Sequence, residues 1–326
     1  MKLIDFYPNL APLLAQVDSH LAELWMDSDD FLGMAAERSL SGRGKRLRPS
    51  MLLLAAECAG SATDRSVVLG AVVELVHAAS LIHDDVVDEA TSRHGRRSAN
   101  AIWGNKVSVL LGDYLIARAL ALLPEGERDF FVPELTDVAK RMCLGQIREL
   151  RAAGHPVVKS DYVEIARSKT GSLFSFCGQA GVRTASGTSR MAKTLARFGE
   201  KFGVAFQFAD DILDLIGTDG RSGKPEARDL AERKFTLPLI LAVEMGGRSV
   251  RDTIEQMLAE PDIDCGGITT IRELVDSTGA FEASWALVRA WLTDARQELE
   301  VIPESRSKET LVAACSDLFP MPVMAY

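Results

Sequence analysis

Apolar residues recur along most of the chain at steps of three and four, the spacing that places side chains on one face of an α-helix. This spacing predicts two helices in 10–40, single helices over 50–60, 64–89, 98–123, 130–154, 160–182 and 188–216, and further helices from 230 to 318. Strand signals, such as alternation with a period of two, are nearly absent from the sequence. We therefore expect an all-α fold, with residues 1–326 forming one large helical bundle around a central cavity.

Three carboxylates lie at the end of one apolar helical run, in the stretch HAASLIHDDVVDEATSRHG that begins at His77. Each helical residue turns about 100°, so Asp84 and Asp88 lie one turn apart on one face, with Asp85 beside them. His77 lies on the same stripe, about two turns upstream. Taken alone, such a motif is either a solvated acidic helix end or one part of a cation site.

A second stretch, FQFADDILD, repeats this spacing with Asp210, Asp211 and Asp214, and Gln207 lies one turn before the first two. Two such helices facing each other would bind hard divalent cations. Mg²⁺ prefers oxygen ligands, keeps some of its water and typically bridges a few carboxylates to phosphate oxygens of a substrate. The presence of two copies favours a magnesium site over two solvated helix ends.

Lysines and arginines accompany the aspartates. The glycine-broken segment SGRGKRLRP carries four cations, among them Lys45 and Arg48, and ends in a proline suited to the first turn of a helix. Alone, this segment is equally consistent with a solvated loop and with an anion cradle. Other cations at motif positions are Arg93, Lys169, Lys224 and Lys234. Carboxylates combined with Lys and Arg are typical of a site for a metal-bound diphosphate.

The chemistry expected of such a site is ionisation of a diphosphate ester. Clustered Mg²⁺ stabilises diphosphate as a leaving group, so that a carbon–oxygen bond can break to give an allylic carbocation. An apolar cavity then protects this cation from water. The sequence contains no GxxxxGK[ST] segment, which argues against a P-loop enzyme, and no Glu-x-x-His pair, which argues against a di-iron site.

Five linked segments resemble the trans-isoprenyl diphosphate synthases, the polyprenyl synthetase family. They are GKRLRP at Gly44–Pro49, LIHDDVVD at Leu81–Asp88, KTGSLF at Lys169–Phe174, FQFADDILD at Phe206–Asp214 and GKP…DL…K.TLPLI from Gly223 to Ile240. The resemblance covers roughly residues 40–245. It implies an all-helical, Mg²⁺-dependent prenyltransferase that ionises an allylic prenyl diphosphate, adds isopentenyl diphosphate and repeats this step until the product fills a tunnel. The released diphosphate would take up the proton.

The resemblance also implies a role for each matching residue. Mg²⁺ and the allylic diphosphate would be held by Asp84, Asp85, Asp88, Asp210, Asp211 and Asp214. Isopentenyl diphosphate would be bound by Lys45, Arg48 and His77. The allylic diphosphate would further contact Arg93, Lys169, Thr170, Gln207, Lys224 and Lys234. The predicted catalytic residues are Asp84, Asp85, Asp88, Lys169, Asp210 and Asp211.

Three positions depart from the family pattern. His94 stands where the family usually has a second arginine, which would contact isopentenyl diphosphate; a histidine brings a weaker and pH-dependent charge. Ala227 replaces a glycine, and Arg233 replaces the glycine of the usual Glu-Gly-Lys. The last two fall in the loop expected to close over the diphosphate. These two departures bear on the predicted structure of that loop and on the predicted reaction rate more than on the class of reaction.

The length of the product is predicted from the first aspartate motif. Ser80 lies one turn before Asp84 on the same face, with Ala79 beside it. Family members with short products tend to carry an aromatic residue at one of these chain-length positions. Two small side chains therefore predict a product longer than the fifteen carbons of farnesyl diphosphate, as in the medium- and long-chain bacterial members of the family.

Two other functions stay open. The first is a terpene synthase-like enzyme that ionises a prenyl diphosphate and cyclises it without an extender, which the His94 departure would suit. Intact Lys45, Arg48 and His77 weigh against it, because a cyclase does not use an isopentenyl diphosphate site. The second is a non-enzymatic partner subunit of a heteromeric synthase. Such subunits typically lose their aspartate motifs, and both motifs are whole here.

Composition limits the remaining choices. Apolar residues make up 47% of the chain, enough for a full-sized core, and the net charge of −9 disfavours nucleic acid as a partner. The five cysteines are scattered and form no CxxC pair, which is typical of reduced thiols in a cytoplasmic protein. No run approaches the about 18 apolar residues of a membrane span. The family resemblance implies a homodimer.

Overall fold

The computed structural model describes residues 3–5, 7–26, 34–35, 46–93, 95–217, 227–260 and 263–319. Its α-helices are Leu10–Met26, Leu47–Ala59, Asp64–Val87, Ala99–Trp103, Asn105–Ala121, Arg128–Ala152, Lys159–Ala166, Ser172–Thr184, Ser189–Ile216, Arg228–Ala231, Leu237–Ala259, Cys265–Ser277, Ala280–Glu298 and Arg306–Asp317. Short 3₁₀ turns cover Leu3–Asp5, Glu125–Glu127 and Leu299–Val301. Within the described ranges, the only strands are the antiparallel pair Ser92–Arg93 and Arg96–Arg97. The prediction of an all-α fold is confirmed.

The chain divides into two compact units. The first unit comprises Met1–Asp137, Leu173–Gly199 and Arg296–Leu318, and the second comprises Val138–Ser172, Glu200–Ala295 and Phe319–Tyr326. The first aspartate motif lies in the first unit and the second motif lies in the second unit. That residues 1–326 form a single domain around a central cavity, with the two motifs facing each other, stays a prediction.

The first unit is built on the helix Asp64–Val87, called the first aspartate helix below. It starts with a capping box between Thr63 and Ser66, which satisfies backbone N–H groups at its N-terminus. It packs against the helices Leu10–Met26, Leu47–Ala59 and Asn105–Ala121. Its side chains are apolar on most faces, as expected for a helix that neighbouring helices surround. This packing fixes the direction in which the aspartates at its end emerge.

The first aspartate helix has the length and composition of a helix that could span a membrane. The sequence pattern alone indicated no apolar run of about 18 residues here. However, 72% of its most apolar window is buried inside the protein, as in the core helix of a globular domain. Among the described residues, one other candidate arises only if residues 105–121 and 125–152, bent by 92°, are taken together as one span. Neither observation identifies a membrane protein.

The second unit contains the C-terminal part of the helix Ser189–Ile216, called the second aspartate helix below. Its Phe208 is buried and stacks on Tyr162 with ring centroids 5.3 Å apart. The edge of Trp291 meets the same phenylalanine ring at 6.0 Å. This aromatic cluster anchors the second aspartate helix immediately before its carboxylates.

Several predicted helices are interrupted. Gly104, with φ of 80°, divides the helix expected over 98–123, because a left-handed residue cannot continue a right-handed helix. The helix expected over 160–182 contains a π-helical turn at Arg167–Gly171, on the KTGSLF motif. The second helix expected in 10–40, most of the basic segment and the loop 218–226 lie largely or entirely outside the described residues.

Candidate active site

The first aspartate motif lies at the C-terminal end of its helix. The helix ends at Val87, and Asp88 follows as the C-cap, with its N–H donating to the carbonyl oxygen of Asp84 at 2.8 Å. Backbone carbonyls give this end of a helix a partial negative charge, so carboxylates are unfavourable here without a cation. Asp85 is buried, with 3% exposure, and accepts a hydrogen bond from Arg93 Nε at 2.7 Å. The predicted site residues Asp85 and Arg93 are therefore in direct contact.

Arg48 and His77, both predicted to bind isopentenyl diphosphate, are neighbours in the first unit. Arg48 Nη1 lies 2.9 Å from His77 Nε2. Because a guanidinium only donates, His77 Nε2 is the acceptor and the ring carries its proton on Nδ1. The Arg48 guanidinium also lies over the Phe174 ring, 4.9 Å from its centroid. Arg48 is thus held from two sides before any anion binds.

Arg46, in the same basic segment, has a different environment from Arg48. It pairs with Glu74 at 2.5 Å and with Asp18 at 2.9 Å. Glu74 lies on the first aspartate helix, three residues before His77. Arg46 therefore ties the start of the Leu47–Ala59 helix to the first aspartate helix.

The two chain-length positions differ in burial. Ala79 has 0% exposure, whereas Ser80 is half-buried and donates from its hydroxyl to the carbonyl oxygen of His77 at 2.8 Å. A larger side chain at Ala79 would meet packed neighbours. This difference favours Ser80 as the residue that could face a growing product, and the chain-length role of both stays a prediction.

In the second motif, Asp211 is the buried member and anchors a chain of hydrogen bonds. It accepts from the Tyr162 hydroxyl and from Gln207 Nε2, the latter at 2.7 Å. Thr170 Oγ1 donates in turn to Gln207 Oε1 at 2.6 Å. Asp210 is exposed on the same helix. The structure thus joins three predicted site residues, Asp211, Gln207 and Thr170, through side-chain contacts.

Burial raises the pKa of Asp211 to about 7; the hydrogen bonds from Tyr162 and Gln207 oppose this rise. The pKa of Asp229 is also well above its usual range, first because of burial and then because of the charges of Asp211 and Asp214. The Asp229 N–H donates to Asp214 Oδ2 at 3.0 Å. The second motif therefore belongs to a cluster of carboxylates in which the pKa values of Asp211 and Asp229 are raised. This all-oxygen donor set fits Mg²⁺.

Lys169 and Lys234, both predicted to bind the allylic diphosphate, share one carboxylate. Glu149 Oε2 lies 2.5 Å from Lys169 Nζ and 3.6 Å from Lys234 Nζ, and Lys234 also pairs with Glu232. Burial acts to raise the pKa of Glu149, but the two ammonium groups outweigh it and hold that pKa below its usual value. Glu149, Tyr162 and Lys234 line one small cavity.

Sequence reasoning missed three residues of this site: Tyr162, Asp229 and Glu149. Asp229 belongs to the DL of a motif segment and could have been found there, but Tyr162 and Glu149 are single polar residues in amphipathic helices without a local signal. Three predicted residues, Lys45, His94 and Lys224, lie outside the described residues.

No group of three or more His, Cys, Asp or Glu side chains is assembled as a metal site within the described ranges.

Both described departures from the family pattern have a left-handed backbone. Ala227 has φ of 54° and Arg233 has φ of 56°. This region favours glycine because a Cβ atom there crowds the following carbonyl oxygen. A glycine at either position would therefore be free of strain, and this chain adopts these turns with strained residues.

The chain is similar to known prenyl diphosphate synthases over nearly its full length. The polyprenyl synthetase family matches residues 29–275. Octaprenyl diphosphate synthase of Haemophilus influenzae is 33% identical over 323 residues, which is 95% of this chain and 94% of the relative. A Caulobacter crescentus polyprenyl synthase, solved with calcium and isoprenyl diphosphate, superposes with a TM-score of 0.91 at 30% identity, over 96% of both chains. A decaprenyl diphosphate synthase of Rhodobacter capsulatus gives a TM-score of 0.89 at 31% identity, over 96% of this chain and 97% of that one.

The fold and the site define an all-helical prenyltransferase with two aspartate motifs. The chain belongs to the polyprenyl synthetase family, as its motifs predicted. The predicted activity, trans elongation of prenyl diphosphates, is confirmed at the level of the family. The alternative function as a cyclase is not favoured.

Proposed function

We propose that this chain uses Mg²⁺ to condense isopentenyl diphosphate with an allylic prenyl diphosphate, and that it extends the product beyond the fifteen carbons of farnesyl diphosphate. The observation that carries the proposal is the second aspartate cluster. Its Asp211 is buried and accepts hydrogen bonds from Tyr162 and Gln207, and burial raises its pKa to about 7. Lys169 and Lys234 lie in the same unit. The octaprenyl and decaprenyl synthases to which the chain is similar support a long product.

In the second unit, we assign the allylic diphosphate site. Mg²⁺ would be held there by Asp210, Asp211, Asp214 and Asp229, and when bound it stabilises the negative charge of the departing diphosphate. Tyr162 and Gln207 orient the Asp211 carboxylate through their hydrogen bonds, a role that outer partners of metal ligands often have. Lys169, Thr170, Gln207, Lys224 and Lys234 would donate to free phosphate oxygens.

In the first unit, we assign the site for the extender. Arg48 and His77, together with Lys45 and His94, would bind the diphosphate of isopentenyl diphosphate. Asp84, Asp85 and Asp88 would bind further Mg²⁺. The proton lost after condensation would pass to the released diphosphate, since this route needs no side-chain base.

We further infer a homodimer in the cytoplasm. Large apolar side chains are exposed one turn apart on the helix Arg128–Ala152, at Leu144 and Ile147, with exposures of 44% and 51%. Exposed apolar surface of this kind is typical of an interface with a second copy. All five cysteines are free, as expected in a reducing compartment. Sedimentation at micromolar concentration tests the dimer, and a monomer under those conditions would contradict it.

The function is tested by incubating purified protein with Mg²⁺, labelled isopentenyl diphosphate and farnesyl diphosphate, and reading product length by mass spectrometry. We expect a ladder of products that ends well beyond twenty carbons, and no product after chelation of the metal. Farnesyl diphosphate as the end product from shorter primers would contradict the chain-length proposal. Diphosphate release without label in the product would favour the cyclase. No reaction with folded protein would contradict the proposed function.

A further inference from the structure

Glu149 is a largely buried carboxylate that the proposed chemistry does not use. It lies on the helix Arg128–Ala152 and accepts from Lys169 at 2.5 Å, with Lys234 at 3.6 Å from the same oxygen. The side chains of Glu149, Lys169 and Lys234 are 21%, 19% and 14% exposed. One carboxylate oxygen therefore bridges two largely buried ammonium groups.

The charges of Glu149, Lys169 and Lys234 determine how the two lysines are held together. Two ammonium groups at this burial would repel each other, and each would lose part of its hydration. A single shared carboxylate reduces this repulsion. Each ammonium has three N–H donors, so the contact with Glu149 alone does not use all the donors of either lysine.

The packing around the lysine pair is also fixed. A Cβ atom on Gly145 would come within 2.8 Å of Lys169 Cγ and 3.1 Å of the Lys169 backbone nitrogen. The stem of Lys169 therefore lies directly against the helix that carries Glu149, one turn before it. Glu232, the second partner of Lys234, also pairs with Arg228 at 2.6 Å. Glu232 therefore joins Lys234 to Arg228 and does not link the two lysines.

We propose that Glu149 is a positioning residue that holds Lys169 and Lys234 side by side as a preorganised pair for the allylic diphosphate. This inference rests on the proposed function, because it assumes that the two lysines bind that substrate. Without Glu149 the ammonium groups separate, and diphosphate binding must then bring them together again, which weakens binding.

The test is steady-state kinetics of Glu149→Gln with each substrate varied in turn. We expect the KM for the allylic diphosphate to rise about 10-fold, the loss typical of one hydrogen bond to a charged group. The KM for isopentenyl diphosphate should stay within about 2-fold, because Arg48 and His77 are untouched. The matched control is Glu164→Gln, since Glu164 lies in the same unit and pairs only with Arg148, Arg167 and Ser168 among the contacts that the structure gives it.

Glu149→Asp keeps the charge and serves as the second variant, with a KM expected between those of the wild type and Glu149→Gln. If Glu149→Gln does not fold, judged by its thermal midpoint, the comparison of Glu149→Asp with the wild type decides. An unchanged allylic KM in a folded variant, or an equal rise of both KM values, would overturn the inference while leaving the proposed function intact. A wild-type protein that does not elongate would instead refute the proposed function.

Discussion

Arg233 illustrates how a single residue departs from its expected type without changing the fold. Its φ of 56° places it in the left-handed region, although its side chain is exposed. Its N–H donates to the carbonyl oxygen of Leu230, and its own carbonyl oxygen accepts from the N–H of Gly154. Strain in this region costs a non-glycine residue about 1–2 kcal/mol, which exceeds the entropic cost of glycine of roughly 0.5–1 kcal/mol.

Arg233→Gly is therefore expected to raise the free energy of unfolding by about 0.5–1 kcal/mol. Urea denaturation of the variant and the wild type measures this change. Arg233→Ala is the matched control, because it loses the same side-chain hydrogen bond to the carbonyl oxygen of Glu260 but keeps the strain. Equal stability of the glycine and alanine variants would contradict the argument.

Glu149 gives the protein a pH-dependent contribution to stability. Its pKa in the folded state lies below the unfolded value of 4.5. The ionised carboxylate therefore stabilises the fold above pH 4.5, and this contribution is lost as the pH falls through the folded-state pKa. Glu149→Gln should be less stable than the wild type at neutral pH, and the two proteins should converge in acid. A difference in unfolding midpoint that does not shrink below pH 4.5 would contradict this assignment.

The residues found only in the structure share one property: their partners are distant in sequence. Tyr162 and Asp211 meet across 49 positions, and Glu149 meets Lys169 across 20. Aspartates at a fixed local spacing can be recognised in a sequence because the helix itself brings them together. A tyrosine or glutamate that completes a site from another helix becomes visible only when the chain is folded.

At the scale of elements, hydrophobic periodicity predicted most described helices to within a few residues. The first aspartate helix was expected over 64–89 and runs from Asp64 to Val87. The interruptions were missed because they depend on single glycines or on hydrogen-bond register rather than on the apolar pattern. Gly104 ends a helix where the apolar spacing continues.

Close approach between helices predicts where a methyl group cannot be added. A Cβ atom on Gly181 would lie 2.1 Å from the carbonyl oxygen of Leu52, on the helix that carries Arg48. Because that atom belongs to the backbone, relief requires a shift of a whole helix. We expect Gly181→Ala to lower the free energy of unfolding by about 1–3 kcal/mol, measured by urea denaturation.

Gly126→Ala is the control, since no atom lies within 4 Å of its Cβ position, and its effect should stay within about 0.5 kcal/mol. Similar losses for both variants would show that helix separation at Gly181 does not limit stability.

At the scale of the whole molecule, a net charge of −9 coexists with binding of diphosphates because cations are concentrated at particular positions. The first unit carries Arg48 beside His77, and the second carries Lys169 and Lys234 beside the buried carboxylates. The sequence motifs contain the members of these groups, and their role in binding stays a prediction. The contacts within each group followed only from the fold, since they join helices that are far apart in the chain.

The central claim is that Arg48 and His77 bind the extender, whereas Gln207, Lys169 and Lys234 bind the allylic diphosphate. Steady-state kinetics of His77→Ala and Gln207→Ala, with each substrate varied in turn, test it most directly. We predict that His77→Ala raises the KM for isopentenyl diphosphate at least about 10-fold, with little change for the allylic substrate, and that Gln207→Ala does the reverse. If both variants raise the same KM, or each raises the opposite one, the assignment of the two sites is wrong.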